Sequence, residues 1–369
     1  MKYARMPIEI ESPEQMGYEN VKYNLTESSF TDTKLGELDL DLNGLLLCYG
    51  DHVGHRGLRE LIAKDAGVDA DDVLLTAGAA TALFIVSTSL LEKGDAVLVE
   101  HPNYATHIET PKAIGAEIDA IELKFEDGFR PNLSEIEKKI RPNTRFVSIT
   151  VPHNPTGAMV ARGELESLVT LVEKKGVRLL VDETYRDMTF RPEFPVAASL
   201  SPRVISVSSL SKTYGLPGIR LGWIVCRDRP LMETFLAAKE QIMICGSVVD
   251  EEIAYRYWLE REKRLPEIRR EIAEKFAITK EWFESQPHLE WVEPRGGVVC
   301  FPRMKAGLNV SPEKFYATLN TRFQTFVGPG HWFETDRRYM RIGFGWPSKE
   351  ELAQGLRNVT EAFEICLKG

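Results

Sequence analysis

The chain has 369 residues, of which 43% are hydrophobic and 27% charged, and its formal net charge is −9 at pH 7. This length predicts a globular protein with two domains, because single hydrophobic cores seldom grow beyond about 250–300 residues. The acidic balance, without any basic cluster, argues against a protein that binds nucleic acid.

Helical patterns alternate with short apolar runs between about residues 56 and 226. This alternation is typical of an α/β fold whose large domain has a mostly parallel sheet sandwiched by helices. Apolar residues at helical spacing from Ala82 to Leu91 predict one covering helix. The strand-sized apolar runs are 96–99, 146–149, 179–181, 204–207 and 222–225.

A second, smaller α+β domain is predicted toward the C-terminus. A long charged helix is expected at 267–284, with strands at 298–301 and 339–342. The predicted division is an N-terminal segment at 1–35 that packs with the small domain, a large domain at 36–260 and the small domain at 261–369. The N-terminus does not read as a signal peptide, and no run of about 18 apolar residues occurs, so we expect a cytoplasmic protein without membrane contact.

Polar segments follow four of the predicted strands, namely HPNY at 101–104, PHNP at 152–155, DETY at 182–185 and SSLSK at 208–212. Ligands of open α/β sheets bind beyond the carboxyl ends of the strands. We therefore expect these four segments to meet at one crevice.

Lys212 is the candidate reactive residue of this crevice. It follows a buried strand, where an amine can be desolvated and held neutral for attack on a carbonyl carbon. The stretch from Ser209 to Arg220 adds hydroxyls and an arginine nearby, which predicts an aldehyde cofactor that carries a phosphate, pyridoxal 5'-phosphate. The alternative is an exposed loop lysine.

Four further side chains suit a pyridine ring. Asp182, directly after a strand, is the candidate partner of the ring nitrogen, because a protonated ring accepts electrons from the substrate. Tyr185 and Asn154 are candidates to bind the ring oxygen, and Tyr104 to stack on the ring face. The alternatives are a helix-capping role for Asp182 and simple core packing for Tyr104.

The phosphate of such a cofactor needs donors and positive charge. Ser209 and Arg220 supply both, together with backbone N–H groups at the start of a helix that contains Gly78, Ala79 and Ala80. Small residues there let the backbone approach an anion closely.

The chain resembles the class I/II pyridoxal-phosphate-dependent aminotransferases, the aspartate aminotransferase-like group of fold type I, over nearly its whole length. The resemblance rests on motifs in the order of the family: YGDHVGHRGLR from Tyr49, TAGAATAL, HPNY, HNPTG, VDETY, SLSKTYGLPGIRLGW, PRGG at 294–297, PG at 329–330 and MRIGFG at 340–345.

The resemblance implies a ping-pong transfer of an amino group between an L-amino acid and a 2-oxo acid. Lys212 would form the Schiff base with the cofactor and carry the proton, with Asp182 and Tyr185 as its catalytic partners. Arg341, with Asn154, would bind the α-carboxylate of the substrate. Tyr49 would reach the phosphate in a neighbouring subunit, which implies a homodimer with shared active sites. The resemblance implies no metal.

Other functions stay open. Segments 294–301 and 340–356 are similar to capreomycidine synthase, so a β-eliminating lyase or a replacement or cyclising enzyme of amino-acid secondary metabolism is the main alternative. A ligand-sensing regulator is another, although it needs a DNA-binding module.

The amino donor is not revealed by the sequence. Segment 24–29 departs from the glycine-rich turn of the family, and Ala79-Ala80 stands where many members carry a hydroxyl or lysine beside the phosphate.

Overall fold

The computed structural model describes residues 1–190 and 194–368. The helices are α1 (Pro7–Glu11), α2 (Pro13–Met16), α3 (Arg56–Ala66), α4 (Gly78–Leu90), α5 (Thr106–Ile114), α6 (Leu133–Lys139), α7 (Arg162–Lys175), α8 (Arg229–Met243), α9 (Val248–Leu259), α10 (Arg261–Ser285), α11 (Pro312–Phe323) and α12 (Lys349–Lys368). The strands are β1 (Tyr23–Leu25), β2 (Val73–Thr76), β3 (Ala96–His101), β4 (Glu117–Glu122), β5 (Thr144–Thr150), β6 (Arg178–Asp182), β7 (Val204–Ser209), β8 (Gly222–Cys226), β9 (Leu289–Glu290), β10 (Val299–Cys300), β11 (Arg303–Met304), β12 (Thr325–Pro329) and β13 (Met340–Gly343). Within the described residues, no helix is long and apolar enough to cross a membrane.

A seven-stranded sheet forms the centre of the described structure, in the order β2-β8-β7-β6-β5-β3-β4. Neighbours from β7 to β4 are parallel, whereas β8 runs antiparallel to both β2 and β7. The predicted α/β fold with a mostly parallel sheet between helices is confirmed.

Both faces of this sheet are buried, which explains the continuous apolar runs in the sequence. In β3, Val97 and Val99 pack against the cluster that contains residues of α4, α5 and α8. Leu98, between them, points to the opposite face and packs with residues of α7. Successive side chains of a strand alternate between faces, so a strand covered on both sides must be apolar at every position.

A smaller four-stranded sheet has the order β1-β12-β13-β10. Its core includes residues of α11 and α12. Strand β1 comes from the N-terminal segment and pairs in parallel with β12, with Leu25 opposite Val327. Residues 23–25 therefore pair with residues 325–327, far along the chain. The domain boundaries themselves stay a prediction.

The predicted elements are longer or shorter than the observed ones. The helix expected from Ala82 begins at Gly78, and the one expected at 267–284 occupies Arg261–Ser285. The strands β1, β2, β4, β9, β11 and β12 were missed. Strand β4 lies at the sheet edge and carries Glu117, Asp119 and Glu122, so its charges obscure the apolar pattern, as is common for edge strands.

Gly343 provides a test of how the N-terminal segment is attached. A Cβ at this position would lie 1.8 Å from the carbonyl oxygen of Glu27. We expect Gly343→Ala to reduce the free energy of unfolding by about 1–3 kcal/mol through overpacking, measured by urea denaturation. Gly163→Ala is the control, because its Cβ meets open space within α7. Equal stabilities of the two variants would contradict the close approach.

Candidate active site

A cavity of about 420 Å³ opens at the carboxyl ends of β3, β5, β6 and β7, beside the first turn of α4. It also receives residues from β13 and from the N-terminal segment. The predicted site residues that line it are Ala79, Ala80, Tyr104, Asn154, Asp182, Tyr185, Ser209, Lys212, Arg220 and Arg341. The topology of the sheet thus brings residues from distant parts of the sequence into one site.

Lys212 lies in the turn after β7 and is partly buried. Its carbonyl oxygen accepts a hydrogen bond from the N–H of Phe30 at 2.9 Å, which fixes the backbone. Among the described residues, its Nζ has no hydrogen bond or ion pair. The backbone of Lys212 is therefore held in place while its Nζ stays available to a ligand.

Asp182 ends β6 with its side chain buried. Its Oδ1 accepts hydrogen bonds from the N–H and the hydroxyl of Thr184, at 3.0 and 2.6 Å. Its Oδ2 lies 3.2 Å from Nε2 of His107, whose Nδ1 lies 2.9 Å from the Ser148 hydroxyl. The carboxylate is thereby held in one orientation at the cavity wall.

His107 was not recognised as a site residue from the sequence, although its side chain contacts the predicted ring partner. It lies on the buried face of α5, which packs on the sheet next to Asp182. The sequence did contain a signal for His107, because it is a polar residue on the buried face of the helix that follows the HPNY segment.

A small cradle lies where α4 begins. Gly78 has a φ of +81°, and a Cβ there would lie 2.6 Å from Nη2 of Arg220. Arg220 Nη1 donates to the Ser211 hydroxyl at 3.3 Å, and the Ser209 hydroxyl accepts the N–H of Ser211 at 3.4 Å. A helix N-terminus, a guanidinium and two hydroxyls together suit a phosphate. Ser211 was missed in the sequence.

Three residues face the centre of the cavity. Asn154 uses its Oδ1 to accept a hydrogen bond from Arg341 Nη1 at 3.1 Å, which leaves its NH2 group to donate elsewhere. Tyr185 donates its hydroxyl proton to Ser28 at 3.0 Å, and burial raises its pKa to about 12. Tyr104 also lines the cavity, after β3.

Arg341 projects from β13 and is buried. Its Nη2 donates to the carbonyl oxygen of Thr26 at 2.6 Å, and its Nη1 to Asn154. Among the described residues, its Nε is buried without any hydrogen-bond partner. Buried polar groups are nearly always paired in folded proteins, so this donor at the cavity wall is available to an acceptor group of a ligand.

Tyr49 does not line the cavity. Its side chain is 79% exposed in a loop that also exposes Leu46 and Leu47. The single chain therefore does not bring Tyr49 to the other site residues, and its expected role in a neighbouring subunit stays a prediction.

A buried acid lies behind the site. Glu100 Oε2 accepts a hydrogen bond from the N–H of Thr150 at 2.8 Å and lies 3.8 Å from Nε2 of His153. Burial raises the pKa of Glu100 to about 8 and lowers the pKa of His153 to about 3. At neutral pH both side chains are therefore uncharged.

The family model for class I and II aminotransferases matches residues 19–359 of this chain. Aspartate aminotransferase of Pyrococcus horikoshii is 29% identical over 329 residues, which cover 86% of this chain and 83% of that protein. Capreomycidine synthase of Streptomyces vinaceus is 30% identical over 366 residues, which cover 95% and 92%.

Solved structures show the same fold. A pyridoxal-phosphate-dependent aminotransferase from Streptococcus suis superposes with a TM-score of 0.92 at 30% identity, and the match covers 99% of each chain. The likeness therefore extends through the seven-stranded and the four-stranded sheets alike.

The raised pKa of Glu100 predicts a specific pH dependence. The native state keeps a proton that the unfolded chain releases above the ordinary pKa of 4.5, so the free energy of unfolding falls as pH rises toward about 8. Glu100→Gln removes this titration while it keeps an acceptor for Thr150.

We expect its melting temperature to fall less between pH 6.5 and 8 than that of the wild type. Glu284→Gln, on the exposed surface of α10, is the control. If the melting temperatures of the wild type and Glu100→Gln changed equally with pH over this range, a protonated Glu100 would be contradicted.

Proposed function

This chain belongs to the class I and II aminotransferases, which are pyridoxal-phosphate-dependent enzymes, and from this premise we propose that it transfers an amino group between an L-amino acid and a 2-oxo acid through Lys212. The observation that carries the proposal is the single cavity in which an unpaired lysine amine, an oriented carboxylate and an unpaired buried arginine N–H lie together. The two half-reactions would occur in turn at this one site.

The residues present fit pyridoxal phosphate. The cradle of Gly78, Ser209, Ser211 and Arg220 suits its phosphate, and a side chain at Gly78 would fill the space. Asp182 suits the ring nitrogen. When bound, the cofactor supplies an aldehyde carbon that carries the amino group and a ring that accepts the electron pair of the broken Cα–H bond.

Within this site Lys212 would hold the cofactor covalently and then act as general acid and base. Its Nζ takes the α-proton of the substrate and returns a proton on the cofactor side. The Asp182 carboxylate favours a protonated ring nitrogen opposite it, and His107 and Thr184 keep that carboxylate in place. His107 is thus proposed as a positioning residue.

Arg341 would bind the α-carboxylate of the substrate. Its contacts to Thr26 and Asn154 hold the guanidinium in place, while its unpaired Nε is ready to donate. A guanidinium is already planar and forked, so it loses little conformational freedom when it pairs with a carboxylate.

A second function is favoured by one observation, the 30% identity with capreomycidine synthase over 95% of this chain. A lyase or a replacement or cyclising enzyme would use Lys212 and Asp182 in the same way and differ after the α-proton is removed. Product analysis separates the two, because elimination releases ammonia and a 2-oxo acid without any amino acceptor.

The proposal includes a homodimer. Leu46, Leu47 and Tyr49 expose apolar surface in one loop, and Ile242 and Ile244 are also exposed. A second copy of the chain that covers this loop would bring Tyr49 to the phosphate cradle of the other subunit. Sedimentation of the purified protein would give the oligomeric state directly.

Lys212→Ala tests the reactive residue. We expect the half-reaction with an amino donor to slow by at least about 100- to 10,000-fold, because general acid–base catalysis is lost. Stopped-flow absorbance measures this rate. Borohydride reduction followed by peptide mass analysis should find the cofactor on the Lys212 peptide of the wild type and no cofactor on the corresponding peptide of Lys212→Ala.

Lys314→Ala, on the exposed surface of α11, is the control and should retain both signals. Wild-type rates in Lys212→Ala would overturn the assigned role.

Arg341→Lys tests the carboxylate site. Lysine keeps the charge and loses the planar fork, so we expect the KM for the amino donor to rise about 10- to 100-fold with a smaller change in kcat. Steady-state kinetics measures both constants. Arg357→Lys, exposed on α12, is the control, and an unchanged KM for Arg341→Lys would exclude carboxylate binding there.

A further inference from the structure

One wall of the active-site cavity comes from the N-terminal segment. Its lining residues in this segment are Ile8, Glu9, Ser12, Glu14, Gln15, Thr26, Glu27 and Ser28. They belong to α1, to α2, to the residue between these helices and to the stretch that follows β1. That last stretch lies within segment 24–29, whose sequence leaves the choice of amino donor open.

The wall carries three carboxylates, and none of its lining residues is a lysine or an arginine. Glu9 is engaged, since its Oε2 accepts the N–H of Met6 at 2.8 Å. Glu14 has no hydrogen bond or ion pair among the described residues. Glu27 Oε1 is reached only at 3.3 Å by the Tyr18 hydroxyl and at 3.4 Å by the Asn24 amide, and it has no ion pair there.

Glu27 is more buried than Glu14, and neither carboxylate has an ion pair among the described residues. Burial raises the pKa of Glu27, the charge of Glu14 raises it further, and the charges of Lys212 and Arg341 lower it. A desolvated carboxylate without a paired cation is unfavourable, and a cationic ligand relieves that cost when it binds.

The cations of the cavity have other contacts or other assigned roles. Arg341 donates to Thr26 and Asn154, and Arg220 lies in the phosphate cradle. Lys212 is the reactive amine of the proposed function. The negative charge at Glu14 and Glu27 is therefore left for the ligand.

An independent observation concerns the other end of the ligand. Arg341 is buried in the same cavity, and its Nε has no hydrogen-bond partner among the described residues. A ligand that satisfies this N–H brings an acceptor, and an anionic acceptor makes the strongest bond to a guanidinium. Glu14 and Glu27 favour a cationic group on the same molecule. The cavity volume of about 420 Å³ lies in the usual range for small-molecule sites.

We propose that the amino donor is an amino acid with a positively charged side chain, whose cationic group binds Glu27 and Glu14 while its carboxylate binds Arg341. An acidic side chain would meet two carboxylates and be rejected. A neutral side chain of the same length would leave them unpaired. This inference rests on the proposed amino-group transfer at Lys212.

The first experiment measures binding without reaction. The holoenzyme is titrated by calorimetry with 5-guanidinopentanoate and with its neutral analogue 5-ureidopentanoate, both of which lack the α-amino group. We expect the guanidino compound to bind about 10- to 100-fold more tightly, because hydrogen bonds to charged groups are the stronger ones.

Glu27→Gln should reduce that ratio to about 3 or less, and Glu14→Gln should reduce it by a smaller factor, because Glu14 is exposed at the cavity wall and better solvated. Glu284→Gln should keep the wild-type ratio, since this residue lies on the exposed surface of α10. Glu14→Gln changes an exposed position, so it tests the inference even if the Glu27 variant folds poorly.

The second experiment measures the half-reaction by stopped-flow absorbance. Arginine is compared with citrulline, lysine with norleucine, and both cations with aspartate and glutamate. We expect each cationic donor to exceed its neutral partner about 10- to 100-fold in apparent second-order rate constant, and Glu27→Gln to remove most of that difference.

The outcomes separate this inference from the proposed function. If neutral or acidic donors react as fast as arginine, and the guanidino compound binds no better than its neutral analogue, the cationic donor is excluded while amino-group transfer stands. If no donor reacts but the guanidino compound binds in a Glu27-dependent way, the charge preference stands and the transfer function fails.

Discussion

The common direction of β3, β5, β6 and β7 is the constraint on which the site depends. These strands are parallel, so their carboxyl ends lie at one edge of the sheet. Both faces of the sheet are covered, and the apolar side chains of each strand are committed to the two core clusters. Most polar residues that these strands give to the site lie where the strands end, as Asp182, Asn154 and Lys212 do.

The site has regions that suit anions and a region that suits a cation. The cradle at the start of α4 and the Arg341 guanidinium offer donors to anions, whereas Glu14 and Glu27 offer acceptors to a cation. Desolvation strengthens the preferences of the buried Arg341 and of Glu27 most, because water screens their charges less. The N-terminal segment takes part because β1 pairs with β12, which brings residues 26–28 next to Arg341.

Much of the site was predictable from residue types and their order. Lys212 follows one buried strand, Asp182 ends the strand before it, and Arg341 lies near the C-terminus. Each of these residue types indicates a specific chemistry, and the motifs occur along the chain in the order of the family. Three contacts were not predictable. His107 and Glu27 carry no motif of their own, and their contacts involve residues far away in sequence. Ser211 lies within the SLSK segment, but its hydrogen bond with Arg220 depends on how the turn after β7 folds.

The sequence by itself determined the α/β class and the alternation of helices and buried strands, and it indicated Lys212 as the candidate reactive residue. These features depend on local periodicity and on single side chains, which the order of residues records directly. Only the tertiary structure decided the pairing of β1 with β12, the unpaired Nε of Arg341 and the acidic wall beside it. Such features arise from contacts between residues hundreds of positions apart, because burial and the loss of solvent partners depend on what packs against each group.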